Sequence, residues 1–283
     1  MERWRFALAS VVGLGHIKAG LPCQDAATCR VIEVPDLGEV LVGVVSDGAG
    51  TAAHSDEGSR LAASALTATV SRLYAEGRTL CDLTVEAVRE WLVGTRSAVQ
   101  ALADEGGSAY RDFACTLLGA VVEPDRAAFL QIGDGAIVVS PRGDFDQYSW
   151  VFWPQRGEYA NFTRFITDED AVERVEVDII NGEVEEVAVF SDGLQSLALH
   201  YATQTAHAPL FRSLFGSVRS MPPGHGEQLS SLLVAFLGSD RVNSRTDDDK
   251  SIVLASRRAT TARTTPTAAT AESSAVESQG EAS

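Results

Sequence analysis

Trp4, Phe6 and Leu8 alternate with polar or small residues, the period of a half-buried strand, and a glycine-rich loop through Pro22-Cys23-Gln24-Asp25 follows them. The pattern then predicts a strand over 27–34, a turn at Pro35-Asp36-Leu37-Gly38, and a second strand. The apolar run of that strand, Leu41-Val42-Gly43-Val44-Val45, ends at Asp47. The period next changes to a helical one. Ser55 is placed as an N-cap, with Asp56 and Glu57 in the first turn where carboxylates complement the helix dipole. Leu61, Ala62, Ala65, Leu66, Thr69, Val70 and Leu73 follow at helical spacing. A second helix over 83–104 turns Val85, Val88, Leu92, Val99 and Leu102 toward a core.

Strands return at 113–122 and 127–132, joined by Glu123-Pro124-Asp125-Arg126, and continue at 136–140 and 148–152 as a meander of adjacent strands. Residues 154–170 lack periodicity and read as a surface flap. Val175, Val177 and Ile179 alternate up to Asn181-Gly182, a strong hairpin signal, so the returning strand is expected to carry the chain to Asp192. Helical stretches are expected at 194–203, 209–219 and 226–237, and a last strand at 251–257. Beyond it the chain is Ala, Thr, Ser and Glu with almost no large apolar residue, which cannot offset the entropy of ordering. The expected division is a folded domain over 1–258 and a disordered tail over 259–283. Strands and helices in segregated blocks predict an α+β protein, its long helices covering the outer faces of largely antiparallel sheets.

Composition narrows what such a fold can do. The chain has 283 residues, 45% hydrophobic and 22% charged, with a formal net charge of −16. That charge argues against nucleic acid or an anionic membrane as partner, since both need concentrated Lys and Arg, and it favours divalent cations or basic partners. Cys23, Cys29, Cys81 and Cys115 show no Cys-x-x-Cys spacing, so they are expected to be reduced structural thiols. The first ten residues, basic and then apolar, imitate a secretory leader, but their alternation and the early Gly13, Gly15, His16 and Lys18 favour a strand. A cytoplasmic location is expected.

The candidate chemistry lies at strand ends. Ser46-Asp47-Gly48 and Ser191-Asp192-Gly193 each close an apolar run, placing a carboxylate at the edge of a core where its charge is costly unless compensated. Asp247-Asp248-Asp249 instead precedes a strand. An antiparallel neighbour that begins where the others finish brings all three acidic groups to one sheet edge. Carboxylates, a backbone carbonyl and water suit hard divalent ions such as Mg²⁺ or Mn²⁺.

Asp25 in Gly20-Leu21-Pro22-Cys23-Gln24-Asp25, the Asp47-Gly48-Ala49-Gly50 turn and Cys115-Thr116-Leu117-Leu118-Gly119 form the first half of a motif series. Ile132-Gly133-Asp134-Gly135, Phe190-Ser191-Asp192-Gly193-Leu194 and Asp248-Asp249-Lys250-Ser251-Ile252 complete it. In this order the chain resembles the metal-dependent protein phosphatases, also called protein phosphatase 2C-like, over about residues 6–255. The resemblance implies a four-layer α-β-β-α sandwich and a binuclear Mn²⁺ or Mg²⁺ centre, in which a metal-bridging water attacks phosphoserine or phosphothreonine. It implies that Asp47 bridges both ions, the Gly48 carbonyl completes the second, and Asp192 and Asp248 hold the first. Asp25 orients water, and Asp112 is the candidate for a third ion.

Departures from the family pattern accompany it. An arginine upstream of the Gln-Asp segment is replaced by a loop offering His16 and Lys18. Ala49 stands where relatives place a histidine, leaving leaving-group protonation to His54, His16 or water. Gly135-Ala136 replaces Ser-Arg, which makes Asp134 a structural turn in this reading, and Asp249 is either solvated or a cap. The resemblance further implies a phosphorylated protein as substrate and a cognate Ser/Thr kinase as partner. Two other functions stay open at this point: a phosphatase-like binding module without turnover, and a hydrolase of a small phosphorylated metabolite.

Overall fold

The computed structural model describes residues 2–144, 147–154 and 163–259. It opens with β1 (Glu2–Val11), a short helix α1 (Leu14–Ala19), β2 (Ala26–Val34) and β3 (Gly38–Ser46). Two long helices follow, α2 (Ser55–Ala75) and α3 (Val85–Gly106), then β4 (Leu117–Val122), β5 (Arg126–Ile132), β6 (Ala136–Pro141) and β7 (Ser149–Trp150). After α4 (Ala171–Arg174) come β8 (Glu176–Asn181) and β9 (Val184–Phe190), then α5 (Gln195–Ala198) and the small hairpin β10 (Leu199–His200) and β11 (Thr205–Ala206). The chain ends with α6 (Ala208–Arg219), β12 (Gly224–His225), α7 (Glu227–Leu237), α8 (Asp240–Asn243) and β13 (Lys250–Ala259).

Two sheets stack face to face. One has the order β12-β1-β13-β9-β6-β7 and the other β2-β3-β4-β5-β8, and apart from the short parallel β1–β12 contact the described pairings are antiparallel. Strand periodicity then builds three apolar layers. On β3, Leu41 and Val45 enter the space between the sheets with Trp4, Leu118, Phe129, Val189 and Val253. The alternate residues Val40, Val42 and Val44 face the opposite way, onto Leu66, Val70, Val88, Leu92 and Val99 of α2 and α3. On β9, Val187 and Val189 point inward while Ala188 and Phe190 meet Phe211, Phe215, Leu233 and Leu237 of α6 and α7. Helix, sheet, sheet and helix thus form four layers, as the resemblance implies. Fully burying Phe211 or Phe215 contributes roughly 1.5–3 kcal/mol each.

Several local expectations change in three dimensions. The meander does not form: β5 pairs with β4 and β8, whereas β6 pairs with β9 and β7, so the chain crosses between sheets at Gly133–Gly135. Nor do Asn181 and Gly182 close a hairpin, because β8 and β9 lie in different sheets and the Gly182 amide donates instead to the Asp125 carbonyl at 2.8 Å. Ser55 is the first helical residue and fully buried; the N-cap position is His54. The strand expected from residue 113 begins at Leu117, after a 3-10 turn over Tyr110–Phe113. The helix expected over 194–203 stops at Ala198, where the β10–β11 hairpin takes over. The proposed flap falls partly outside the described residues, as does the proposed tail over 259–283 from Thr260 onward, while Ala259 ends β13.

Candidate active site

β3, β9 and β13 deliver their acidic ends to one rim. β13 runs antiparallel to β9 with Ile252 opposite Phe190, so the start of one strand lies beside the finish of the other. Ser191 fastens this junction: its amide donates to the Ser251 carbonyl at 3.0 Å, and its hydroxyl accepts the Ser251 amide at 2.9 Å. The same hydroxyl donates to Asp25 Oδ2 at 2.7 Å, which brings the beginning of β2 into the cluster.

Asp47 is held by the opposite sheet. Its amide donates to Thr116 Oγ1 at 2.9 Å and its carbonyl accepts the Thr116 amide at 2.8 Å, while Ser46 Oγ donates to the Thr116 carbonyl. Two glycines are required by close backbone approach. A Cβ at Gly48 would stand 2.6 Å from the Gln24 carbonyl oxygen, and one at Gly193 would stand 2.0 Å from that of Asp249. Each Asp-Gly pair is therefore a carboxylate followed by a backbone that another loop touches.

Electrostatically the rim carries an excess of acid over its nearby cations, His16 and Lys250. Asp47 lies close to both Asp25 and Asp192, and each feels its acidic neighbours. Burial, and then the charges of Asp25, Asp192 and Asp248, raise Asp47 well above the usual carboxylate range. Burial, reinforced by Asp249 and Asp192 and opposed by the Ser191 hydroxyl, pushes Asp25 up to about 7. Asp192 is raised by burial and then by Asp134. Asp248 is raised by burial too, but the Asp249 amide, which its Oδ1 accepts at 2.8 Å, and nearby His16 hold it back. Buried Asp25 Oδ1 and Asp192 Oδ1 have no hydrogen-bond partner.

These features fit a hard divalent cation: an all-oxygen donor set, excess negative charge and two carboxylate oxygens left unsatisfied. Among the described residues no three His, Cys, Asp or Glu groups form a ready ligand set, because Asp25 and Asp192 lean on Asp47 while Asp248 turns to its own backbone.

The remaining candidates separate clearly. His16, in α1, has Nδ1 2.9 Å from Asp249 Oδ2, beside the rim. His54 is turned elsewhere: it stacks on Phe113 with ring centroids 5.0 Å apart, and its nitrogens lie 3.4 Å from Glu57 Oε1 and 3.5 Å from Ser108 Oγ. Asp112 has a local task, since its carboxylate accepts the Ala109 amide at 3.2 Å within the 3-10 turn. Neither residue figures among the main perturbers of the acidic cluster.

Two acids carry more than the sequence reading gave them. Asp249 is neither solvated nor a simple cap; it is 2% exposed, accepts the Gly13 amide at 2.6 Å and the Gln24 amide at 2.5 Å, and so organises the loops around His16. Asp134 is more than a turn: Thr163 Oγ1 donates to it at 2.6 Å, and after burial its charge is the largest perturbation of Asp192. The repeated Asp-Asp before β13 and the Gly-Asp-Gly loop were the available signals for both.

This arrangement of two stacked sheets with an acidic rim agrees with the family comparison. The family model described as Protein phosphatase 2C matches residues 12–237, and the chain belongs to that family. The match ends before Asp248 and β13, which the structure places against β9 and β1. Among curated proteins, Serine/threonine-protein phosphatase 3 of Escherichia coli (strain K12) is 40% identical over 252 residues, covering 89% of this chain and 98% of that protein.

Solved structures share the fold. The catalytic domain of the serine/threonine phosphatase PstP, in complex with two manganese ions, superposes with a TM-score of 0.56 at 14% identity, covering 91% of this chain and 99% of that one. PppA of Pseudomonas aeruginosa, described as a key regulatory component of T6SS, gives 0.58 at 18% identity, covering 91% and 100%.

Proposed function

We propose that this protein is a metal-dependent serine/threonine protein phosphatase that hydrolyses phosphoserine and phosphothreonine esters. The observation that carries the reading is the acidic rim, where half-buried Asp47 and Asp192 meet buried Asp25 and acidic neighbours raise each carboxylate, with Lys250 as the nearby cation. Family membership and the 40% identical serine/threonine phosphatase support it.

Asp47, the Gly48 carbonyl, Asp192 and Asp248 would hold two ions, Mn²⁺ or Mg²⁺. When bound, such ions supply Lewis acidity, lower the pKa of water and neutralise phosphoryl charge. The chain's own groups do the rest. Thr116 fixes Asp47 from the backbone side, and Ser191 fixes Asp25 so that Oδ1 is free to accept a proton from a water at the rim. His16, oriented by Asp249, is the candidate to hold the substrate phosphate or protonate the leaving oxygen, in the loop where relatives carry an arginine. This scheme uses neither His54, stacked on Phe113, nor Asp112, whose carboxylate accepts the Ala109 amide.

The partner in this reading is a phosphorylated protein, with a cognate Ser/Thr kinase upstream. We assign the cytoplasm, on the four free thiols; no described helix is long and apolar enough to cross a membrane. The catalytic domain is taken as 1–258, with β13 itself running to Ala259. Phosphothreonine peptide and aryl phosphate turnover, measured with manganese and with chelator, tests the assignment. Manganese-dependent release of phosphate that Asp47→Asn abolishes is expected, and equal rates in chelator would refute it. Turnover of free nucleotides but not of phosphopeptides would instead identify a metabolite hydrolase.

A further inference from the structure

Away from the acidic rim, α6 and α7 leave between them an open groove of about 740 Å³. Leu210, Ser213, Leu214 and Ser217 line one wall at the i, i+3, i+4, i+7 spacing of a single helix face. Leu229, Leu232, Leu233 and Phe236 line the other at the same spacing. Leu232 is 59% exposed, so the groove presents large apolar groups to solvent. Two apolar stripes lining one groove are a surface onto which a third helix can pack.

The groove's charge is opposite to that of the chain. The chain has 39 acidic residues and a net charge of −16, yet no Asp or Glu lines the groove among the described residues. Its polar rim is Arg241 and Arg245 on one side and His200 and His207 on the other, the two imidazoles meeting at 2.6 Å between Nε2 and Nδ1. Neither arginine has an acidic partner among the described residues.

Position links this groove to the rim. α5, which contributes Ser196 and Leu197 to the groove, follows directly from Asp192. α8 is tied to the start of β13, where Lys250 Nζ donates to Asn243 Oδ1 and to the Asp248 carbonyl, both at 3.0 Å.

We propose that the groove docks an acidic amphipathic helix belonging to the phosphoprotein substrate, a deepening that rests on the phosphatase reading. The occupant presents leucine-type side chains to the two stripes and carboxylates to Arg241 and Arg245. α7, with 11 residues, spans roughly 16 Å, which sets the docked segment at about three turns. The chain's own residues 260–283 contain Val276 as their one large apolar side chain and cannot fill such a groove.

The test uses a fluorescein-labelled helical peptide of about 14 residues with Leu on one face and Glu beside it, and a second peptide with Lys in place of Glu. Anisotropy on the full chain should show the Glu peptide binding at least about tenfold more tightly than the Lys peptide, with Arg241→Glu/Arg245→Glu reversing the preference. Leu232→Glu should weaken both by more than about tenfold. Fusing the Glu helix to a phosphothreonine substrate should lower KM and leave kcat unchanged, and neither variant should alter manganese-dependent turnover of p-nitrophenyl phosphate.

Absence of binding by a chain that hydrolyses p-nitrophenyl phosphate would overturn the docking proposal and leave the phosphatase reading intact. Binding without any such hydrolysis would sink the phosphatase reading and the substrate assignment with it. A dimer in sedimentation that Leu232→Glu converts to monomer would show a second copy covering the groove, and would also overturn the proposal.

Discussion

The molecule handles buried carboxylates in two opposite ways. Glu186, fully buried in β9, accepts Arg219 Nε and Nη2 and Arg258 Nη2, each at 2.7 Å, together with the Ser256 hydroxyl at 3.1 Å. Glu123, 1% exposed, accepts the Tyr74 hydroxyl at 2.9 Å and the Leu80 amide at 2.8 Å. At the acidic rim the carboxylates instead face one another and leave oxygens unsatisfied. The same strand, β9, carries both solutions: Glu186 sits within it and Asp192 lies just past its end. A buried acid surrounded by donors holds the fold together, while acids that burden one another store unfavourable electrostatics that an incoming cation relieves.

The largest expected effect breaks the rim itself. Asp47→Asn or Asp192→Asn should lower manganese-dependent turnover of a phosphopeptide by roughly three orders of magnitude, about 4 kcal/mol of barrier. The metal-free protein should unfold at the same temperature or higher, because like charges are removed; calorimetry beside the kinetic assay checks both. Glu186→Gln should do the reverse. Removing the acid that both guanidinium groups share, with Arg258 left to its second partner Glu185, is expected to cost about 3 kcal/mol in urea denaturation, with turnover kept in the folded fraction.

A pH series sharpens the comparison further. Asp25, pushed up to about 7, retains its proton in the folded state after the unfolded chain has lost it. The folded state therefore binds more protons between pH 4 and 7, and stability must fall as pH rises through that window. Without metal, Tm should drop by roughly 5 °C from pH 5 to pH 7.5, and saturating manganese should remove the slope. A metal-free Tm that rises across the same range would contradict the electrostatics described for the rim. The smallest change tests the satisfied side: Tyr74→Phe deletes one hydrogen bond to Glu123 and should cost about 1 kcal/mol, with unaltered kinetics.

The rim was legible in the sequence because each part is signalled locally. Apolar runs ending in Ser-Asp-Gly, and an acidic cluster opening a strand, require only the antiparallel pairing of β9 with β13 to converge. The sheet assignment was not legible. β5 and β6, like β8 and β9, are consecutive strands whose patterns fit a hairpin equally well, and partner choice depends on which apolar faces meet across the sandwich. Asn181-Gly182 therefore reads as a hairpin and serves as a crossing between sheets. Asp249 and Asp134 were undervalued for the same reason, since the Gly13 and Gln24 amides and Asp192 that they serve are remote in the chain. The four layers could be anticipated from helix and strand periods, but the arginine partners of Glu186 could not, since Arg219 lies 33 positions away on a different element.

The pairing of β1 with β13 sets Glu2 opposite Ala259 and Val11 opposite Lys250, so the first strand made is completed by the last. On the ribosome, β1 waits without its neighbour until nearly the whole domain has emerged, and Asp249 cannot gather Gly13, His16 and Gln24 before then. A chain that stops short of β13 lacks Asp248, Asp249 and the strand that joins β1 to β9.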